Sequence, residues 1–502
     1  MSTTKKNLQA TLLFIGLFFA QGAFAFCGFY VAKADAKLFN KSSQVIITRN
    51  GDRQVITMSN DFDGDAKDFA MVVPVPVVLK KEDIKVVDQS IFDKLDAYSG
   101  PRLVEYHDNN PCDMRRYMAE SMMLKSSARA MDDMSPASTA EKFNVKIEAS
   151  YTIGEYDILI LSAEESGGLK SWLLANDYKI PDKAEEVLDP YIKSNLKFFV
   201  VKVNLGEQKK AGLNKLRPIQ IAFNSPKFML PIRLGMANSD GGPQDLIIYA
   251  FTQKGRVETT NYKTLKIPTD ANIPEFLKPK FGQFYKDLFD VTYKKDRQAT
   301  YLEYAWNLNA NNYSHCDPCA GNPPKYTEFK EAGVEWVTPY QEQQQYSSRI
   351  SDYDGEAFFT RLHVRYDRQN FPQDLIFQET PNQDQFQGRY IMQHAITEKI
   401  NCDAAKEYYA QVNARRKKEL MTLNTLTGWD VSLYGSYQNE FANYSSGAKT
   451  EVKSNSANPP KKSTKKAKKA VKNKSDLTSW GLGILLFFLS ISLFIRRWKV
   501  RA

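Results

Sequence analysis

The chain has 502 residues, of which 42% are hydrophobic and 25% are charged. These proportions are typical of a globular protein, and they exclude a collagen-like, a wholly disordered and a polytopic membrane protein. The net charge of +10 arises at the ends of the chain, because residues 26–452 alone carry about −4. A slightly acidic body lacks the basic footprint of a nucleic-acid-binding domain, so we predict no nucleic-acid partner.

The N-terminus has the three parts of a secretory signal peptide. Two lysines precede an apolar stretch over 12–20, and an Ala-x-Ala site ends at Ala25. This pattern predicts a signal peptide over 1–25 that is cleaved between Ala25 and Phe26. The alternatives are an uncleaved N-terminal anchor and, less favoured because of the bulky Phe26, a lipoprotein signal at Cys27.

The body, residues 26–452, is long enough for two or three subdomains. In chain order, the predicted strands are Val45–Thr48, Val55–Met58, Phe69–Val78, Val145–Tyr151, Tyr156–Leu161, Phe198–Val203, Ile219–Phe223, Leu246–Phe251, Val257–Tyr262, Val334–Thr338 and Phe358–Tyr366. Helices are predicted over Ala163–Leu174, Ala184–Ser194 and Asp403 to about Leu423. Strands outnumber helices and do not alternate with them, so we predict an α+β fold with mainly antiparallel sheets.

Composition divides the body into three predicted segments. They are a β-rich subdomain over 26–125, a central α+β subdomain over 142–300, and a C-terminal subdomain over 301–452 that holds a cysteine pair and a helix. The stretch Ser126–Glu141 has no apolar periodicity, which predicts a loop or boundary between the first two subdomains. An Asn-Gly pair at Asn50 predicts a hairpin turn near the start of the body.

The C-terminal part is predicted to anchor the protein in a membrane. Residues 453–476 are rich in lysine and form a self-repelling tether, which is either a plain spacer or attracted to anionic lipid or wall polymer. Residues 477–495 carry no charge and are long enough for one transmembrane helix. Basic residues in the cytoplasmic tail, 496–502, place the body outside the cytoplasm. A C-terminal sorting tail that is cut off is the alternative.

Several stretches of the body resemble one bacterial family. They are CGFYVAKAD (27–35), DFAMVVPVP (68–76), LDAYSGPRLVEY (95–106), LSAEESGGLKSWL (161–173), SPKFMLPIRLGMAN (225–238), CDPC (316–319), TRLHVRYDRQNFPQDLIFQET (360–380) and FQGRY (386–390). Together they resemble the exported bacterial proteins known as domain of unknown function 2330. The resemblance implies an exported protein, sometimes with a C-terminal anchor, and it implies no activity.

Five cysteines remain after the signal peptide, and an oxidising compartment favours disulfides among them. The candidates are Cys27, Cys112, Cys316, Cys319 and Cys402. We predict one bridge between Cys27 and Cys112, because both lie in the N-terminal region. We predict a second bridge from Cys316 to either Cys319 or Cys402.

Other chemistry for the CDPC pair is less favoured. Its flanks lack the strand and helix that activate a thioredoxin-like cysteine. His315 precedes Cys316, but a zinc site would need further ligands from Cys402 or from another histidine. The acidic stretch 60–65 departs from a calcium-binding EF-hand, and Ser194-Asn-Leu-Lys197 lacks the companion motif of a serine–lysine enzyme. We therefore predict no metal, no cofactor and no catalytic residue.

One predicted strand carries a candidate anion-binding face. Alternation along Thr360–Tyr366 puts Arg361, His363 and Arg365 on one side and apolar residues on the other. Three cationic groups in a row could grip an acidic polymer or a carboxylate ligand. The alternative is an exposed polar face that pairs with nearby Asp367 or Glu379.

These observations favour a membrane-anchored protein of the bacterial cell envelope that binds a partner or has a structural role. The expected partners are the membrane itself and either anionic lipid or an envelope polymer, and the sequence identifies no protein partner. The absence of any nucleophile–base motif argues against an enzyme. An envelope hydrolase that uses carboxylates without a short motif is the alternative.

Overall fold

The structure is a computed structural model that describes much of the body. The described residues are 29–32, 39–40, 43–59, 62–63, 69–112, 146–163, 166–175, 184–210, 216–235, 242–310, 323–340, 351–398, 400–441 and 444. They all belong to one compact unit, Met1–Gly447. The predicted signal peptide, tether and transmembrane segment lie outside these residues. Within them, no helix is long and apolar enough to cross a membrane.

Strands make up most of the regular structure. In chain order they are β1 Phe29–Ala32, β2 Phe39–Asn40, β3 Ser43–Asn50, β4 Arg53–Met58, β5 Phe62–Asp63, β6 Phe69–Val75, β7 Ile84–Val86, β8 Arg102–His107, β9 Lys146–Ile153, β10 Tyr156–Ser162, β11 Lys197–Val203, β12 Ile219–Asn224, β13 Met229–Leu230, β14 Gln244–Thr252, β15 Val257–Thr259, β16 Lys263–Lys266, β17 Ala271–Asn272, β18 Ala299–Asn309, β19 Thr338–Pro339, β20 Tyr353–Asp354, β21 Glu356–Tyr366, β22 Leu375–Glu379, β23 Phe386–Gln387 and β24 Arg389–His394.

Helices are shorter and cover the sheets. They are α1 Ser90–Ser99, α2 Ser166–Ala175, α3 Ala184–Lys193, α4 Leu205–Lys210, α5 Phe281–Lys295, α6 Tyr326–Glu331, α7 Ala405–Thr427 and α8 Gly435–Asn439. Within the described residues, short 3-10 helices lie at Lys81–Asp83, Glu275–Lys280 and Val431–Tyr434.

A nine-stranded sheet forms the centre of the fold. Its strand order is β16-β18-β21-β14-β3-β4-β12-β7, and β23 pairs with β18 beside this path. Most neighbours are antiparallel, but β14 pairs with β3 and β16 pairs with β18 in parallel. The sheet draws its strands from all three predicted body segments.

The central sheet is covered on both faces. One face packs against a five-stranded sheet of order β1-β6-β11-β10-β9, and Met71, Ile158, Ile248 and Leu362 share the core between the two sheets. The other face packs against α1 and α6 through residues such as Phe92. Helices α2 and α3 cover the outer side of the five-stranded sheet. The result is a stack of helix, sheet, sheet and helix layers.

A smaller lobe joins the edge of this stack. The parallel strands β17, β24 and β8 form a three-stranded sheet. Helices α5 and α7 pack on it through Phe284, Leu288, Tyr390 and Leu423. Helix α5 lies between this lobe and the central sheet, because Phe289 belongs to the core of that sheet.

The predicted α+β class with mainly antiparallel sheets is confirmed. The hairpin at Asn50 is present, since Asn50 pairs with Arg53 across a turn in which Gly51 has a φ of +57°. The strand predicted over Val334–Thr338 is wrong, because the chain runs there as a loop and only Thr338–Pro339 pairs. The predicted loop over 126–141 lies outside the described residues.

Candidate functional site

The candidate anion-binding residues lie in the interior of the protein. Arg361, His363 and Arg365 share one face of β21, and the side chain of Arg361 is only 7% exposed. The face packs against α1 and α5, so the expectation that these groups meet solvent is wrong. The reason is that helices from elsewhere in the chain cover the polar face, while the five-stranded sheet covers the apolar one.

Glu303 forms the centre of this buried cluster. It occupies an irregularity in the pairing of β18 with β21, where the register shifts between Leu302 and Tyr304, and its side chain is 0% exposed. Arg361 Nε donates to its Oε2 at 2.6 Å, and His363 Nδ1 lies 2.9 Å from its Oε1. The hydroxyl of Tyr285 in α5 also donates to it. A bulge of this kind re-aims a side chain that regular pairing would place elsewhere.

Three aspartates complete the cluster from neighbouring elements. Asp96 of α1 accepts a hydrogen bond from Arg361 at 2.7 Å. Asp245 of β14 lies 3.2 Å from His363 Nε2 and accepts two bonds from Arg365, at 2.8 and 2.9 Å. Asp290 of α5 accepts from the remaining arm of Arg365. This network of ion pairs and hydrogen bonds therefore joins α1, α5, β14, β18 and β21.

Glu303 and His363 both keep their charges in the cluster. Burial alone would raise the pKa of Glu303, but Arg361 and His363 outweigh it and lower the pKa to about 2. Burial alone would lower the pKa of His363, but the Glu303 charge and the bonds to Asp245 and Glu303 raise it. A histidine with a carboxylate at each ring nitrogen satisfies both only as the imidazolium.

The chemistry of the cluster is structural. Each cation is already paired with a carboxylate, so a bound anion would have to displace one of these partners. Anion binding by Arg361, His363 and Arg365 therefore stays a prediction. Removing one partner of such a buried pair would leave the other charge uncompensated, which is strongly destabilising.

A disulfide links two distant parts of the chain beside the small lobe. Cys112 and Cys402 are bonded, with a Cα–Cα distance of 6.0 Å and a sequence separation of 290. The predicted pairing of Cys112 with Cys27 and the option of a Cys316–Cys402 bridge are therefore wrong. The cause is the parallel pairing of β8 with β24, which brings the chain segments after these strands together. Cys27, Cys316 and Cys319 lie outside the described residues.

A cleft of about 290 Å³ lies next to this disulfide. One wall is the segment after β8, and the other is the N-terminal half of α7. Its lining residues are Asp108, Asn109, Pro111, Ala404, Glu407, Tyr408, Gln411, Val412 and Arg415. The α7 residues recur at a spacing of three to four, so they form one stripe along the helix. The disulfide closes the two walls together at one end.

Asp108 and Arg415 form a tight pair within the cleft. Arg415 donates from Nη1 to Oδ1 at 3.1 Å and from Nη2 to Oδ2 at 2.8 Å. Tyr408 and Gln393 each donate a further bond to Asp108 at 2.7 Å. Burial opposes ionisation of Asp108, but these bonds outweigh it and lower its pKa. The pair is ionised and has no net charge.

A second carboxylate lies beneath the cleft on α7. Glu419 is 1% exposed, and its Oε1 lies 3.6 Å from Arg415 Nε. Tyr437 donates to its other oxygen at 2.7 Å. Burial raises the pKa of Glu419 despite these partners. In the part of the chain that the structure describes, no cluster of three or more His, Cys, Asp or Glu residues suits a metal ion.

Comparison with known sequences identifies the family. A family model described as an uncharacterized protein conserved in bacteria (DUF2330) matches residues 21–378. The chain belongs to this family. Comparisons with curated proteins and with solved structures find no match.

The family match contains the whole charge cluster but only part of the cleft. Asp96, Glu303 and Arg365 fall inside residues 21–378. The α7 wall of the cleft and Cys402 fall beyond residue 378. Two stretches that carry the resemblance, 95–106 and 360–380, meet through the bond between Asp96 and Arg361.

Sequence reasoning missed the partners of the cationic strand. Glu303 and Asp96 are 58 and 265 residues from Arg361 along the chain. A signal for α5 was present, because Phe281, Phe284 and Leu288 repeat at helical spacing. No comparable pattern marks Glu303, which stands alone among apolar neighbours.

Removing the charge of Arg361 should destabilise the protein strongly. An Arg361→Gln variant leaves Glu303 buried without its main counter-ion, so the free energy of unfolding should fall by about 3–5 kcal/mol. The matched control is Arg368→Gln, whose ion pair with Glu186 is exposed and should contribute only about 0–1 kcal/mol. Urea unfolding of both variants measures the difference. Equal losses would contradict a buried cluster.

The cluster should give stability a defined dependence on pH. Glu303 has a folded pKa of about 2 against an ordinary value of 4.5, so its contribution is complete above 4.5 and is lost as the pH falls towards 2. His363 has a raised folded pKa, so its contribution is complete below its ordinary value of 6.5 and is lost as the pH rises through the folded value.

A His363→Gln variant separates the two effects. It should abolish the alkaline loss of stability while the acid loss remains. Unfolding free energies measured across this pH range test the prediction. Parallel curves for the wild type and the variant above pH 6.5 would show that His363 does not carry the alkaline slope.

Peptide mapping of the non-reduced protein should recover a peptide pair that joins Cys112 to Cys402. A loop of 290 residues corresponds to about 6 kcal/mol in the chain-entropy picture, and measured losses are about 2–5 kcal/mol. Cys402→Ser should therefore lower the unfolding free energy within that range. As the control, the wild type and the variant should unfold at the same free energy once both are reduced. Recovery of a Cys27–Cys112 peptide instead would contradict the pairing.

Proposed function

We propose that this protein is an exported, membrane-anchored component of the bacterial cell envelope whose body has a binding or structural role. The observation that carries the proposal is the disulfide between Cys112 and Cys402. Disulfides persist in oxidising compartments outside the cytoplasm. The signal pattern over 1–25 and the apolar segment over 477–495 agree with that location.

Binding is favoured over catalysis by the state of the buried charges. Glycosidase-type hydrolysis needs one carboxyl group that stays protonated beside one that is ionised. The pKa values of Glu303 and Asp108 are lowered, so both are ionised at neutral pH. Glu419 has a raised pKa, but its side chain is 1% exposed and accepts the Tyr437 hydroxyl, so no substrate reaches it directly.

An envelope hydrolase is the second candidate, because two carboxylates line the cleft. Asp108 and Glu407 both contribute to its walls. The four donors that surround Asp108 leave it little capacity to act as a nucleophile or a base. A binding role requires only fixed hydrogen-bond donors and acceptors, and Asp108 and Glu407 need no free nucleophile or base for it.

The proposed partners differ between the body and the tether. The lysines over 453–476 supply attraction to anionic lipid or to an acidic envelope polymer, worth about 1 kcal/mol per lysine near such a surface. The membrane itself is contacted through the apolar segment over 477–495. Protein partners of the body are left open by this proposal.

The location is tested by topology mapping of the full-length protein in a bacterial host. The mature N-terminus should be Phe26, and the protein should stay in membranes washed with carbonate. Protease added outside the cytoplasmic membrane should digest the body. Deletion of Leu477–Ala502 should release a folded body from the membrane.

A variant without residues 2–25 is the control for export. It should stay in the cytoplasm and should not form the Cys112–Cys402 bond. Loss of the full-length protein from washed membranes would contradict the anchor. A mature protein that ends near Asp476 would favour a processed sorting tail.

A further inference from the structure

The cleft beside the disulfide has the size and rigidity of a small binding site. Its volume of about 290 Å³ lies just below the range for drug-sized ligand pockets, about 300–1,000 Å³. One wall belongs to the long helix α7, and the bond between Cys112 and Cys402 ties the other wall to the start of that helix. Walls held in this way need little ordering when a ligand binds.

The charges of the cleft do not select an anion. Asp108 neutralises Arg415, and the donors around Asp108 use its acceptor capacity. Glu407 lies in the first turn of α7, where its charge offsets the positive end of the helix dipole. An acidic polymer would therefore meet the carboxylate of Glu407 and a guanidinium whose charge Asp108 already neutralises.

The remaining groups present both donors and acceptors. Asn109 and Gln411 are exposed amides, and each offers a carbonyl oxygen and an NH₂ group. Glu407 is an exposed acceptor that also takes a bond from Gln411 at 3.3 Å. Arg415 Nη1 makes one bond, to Asp108, and so has a second N–H to offer. Tyr408 adds an aromatic ring to the wall.

Hydroxyl groups fit this lining better than charged groups do. A hydroxyl donates and accepts at one atom, so neighbouring hydroxyls match alternating amide and carboxylate partners. The C–H face of a sugar ring would pack on the aromatic ring of Tyr408. We propose that the cleft binds a short stretch of an uncharged glycan. This assignment rests on the envelope-binding role proposed above and names its ligand class.

The test is calorimetric titration of the full-length protein, in a detergent without a sugar headgroup, with a trisaccharide of N-acetylglucosamine. The cleft variant combines Glu407→Ala with Gln411→Ala. Its matched control combines Lys417→Ala with Lys418→Ala, since these residues are exposed on the same helix but do not line the cleft. Alanine suits an exposed helical position, and Glu407 contributes only a modest surface interaction with the helix dipole, so both variants should melt within a few degrees of the wild type.

Saturable binding should occur with the wild type and the control, and the cleft variant should bind about tenfold more weakly. Raising the salt from about 0.05 M to about 0.5 M should leave the affinity unchanged, because the ligand has no charge to screen. No detectable binding of the trisaccharide, or equal binding by the cleft variant, would overturn the proposal. Binding of poly-glutamate or of a lysine tripeptide in place of the trisaccharide would overturn it as well.

Sedimentation with purified envelope fragments separates this proposal from the broader one. The wild type and the cleft variant could sediment equally with the fragments while the trisaccharide fails to bind. That result would refute the glycan assignment and support the envelope-binding role. Failure to sediment with the fragments together with failure to bind the trisaccharide would refute both.

Discussion

The fold depends on one carboxylate that has no access to solvent. Glu303 lies inside the layer between the central sheet and helix α5, where an unpaired charge would cost several kcal/mol. Its ionisation therefore requires Arg361 and His363, and these in turn require Asp96, Asp245 and Asp290. One side chain thus sets the position of two helices against three strands. Sliding of α5 would separate Tyr285 from Glu303 and Asp290 from Arg365, and would leave buried polar groups without these partners.

The sequence predicted the strand that carries these cations, but not their burial. Alternation of polar and apolar residues over 360–366 located the strand and assigned its two faces, because a period of two is a property of the strand itself. Whether a polar face meets water depends on what packs over it. Asp96 is 265 residues away from Arg361, and no local pattern records such a contact. The apolar spacing of helices α1 and α5 could have located both helices in the sequence. Their presence would have suggested that a helix can cover the polar face of β21.

The disulfide is a second contact between distant residues that the sequence did not predict. Proximity along the chain favoured Cys27 as the partner of Cys112, but the bond joins Cys112 to Cys402. The deciding feature is the pairing of His107 with His394 in parallel strands, and their rings stack at 4.7 Å. Because β8 and β24 run in the same direction, the segments that follow the two strands leave the sheet at the same edge and can meet. Pairing between strands so far apart in the sequence is set by the tertiary fold.

Charge is divided between the parts of this protein in a way that bears on its proposed role. In the described body, the arginines of β21 and of the cleft pair with carboxylates, so their positive charge is neutralised. The concentrated positive charge lies instead in the lysines over 453–476. Salt screens exposed charges strongly and a neutral hydrogen-bonded contact hardly at all. In the proposed arrangement, attraction to an anionic surface therefore varies with ionic strength, while recognition by the body does not, because different residues carry the two interactions.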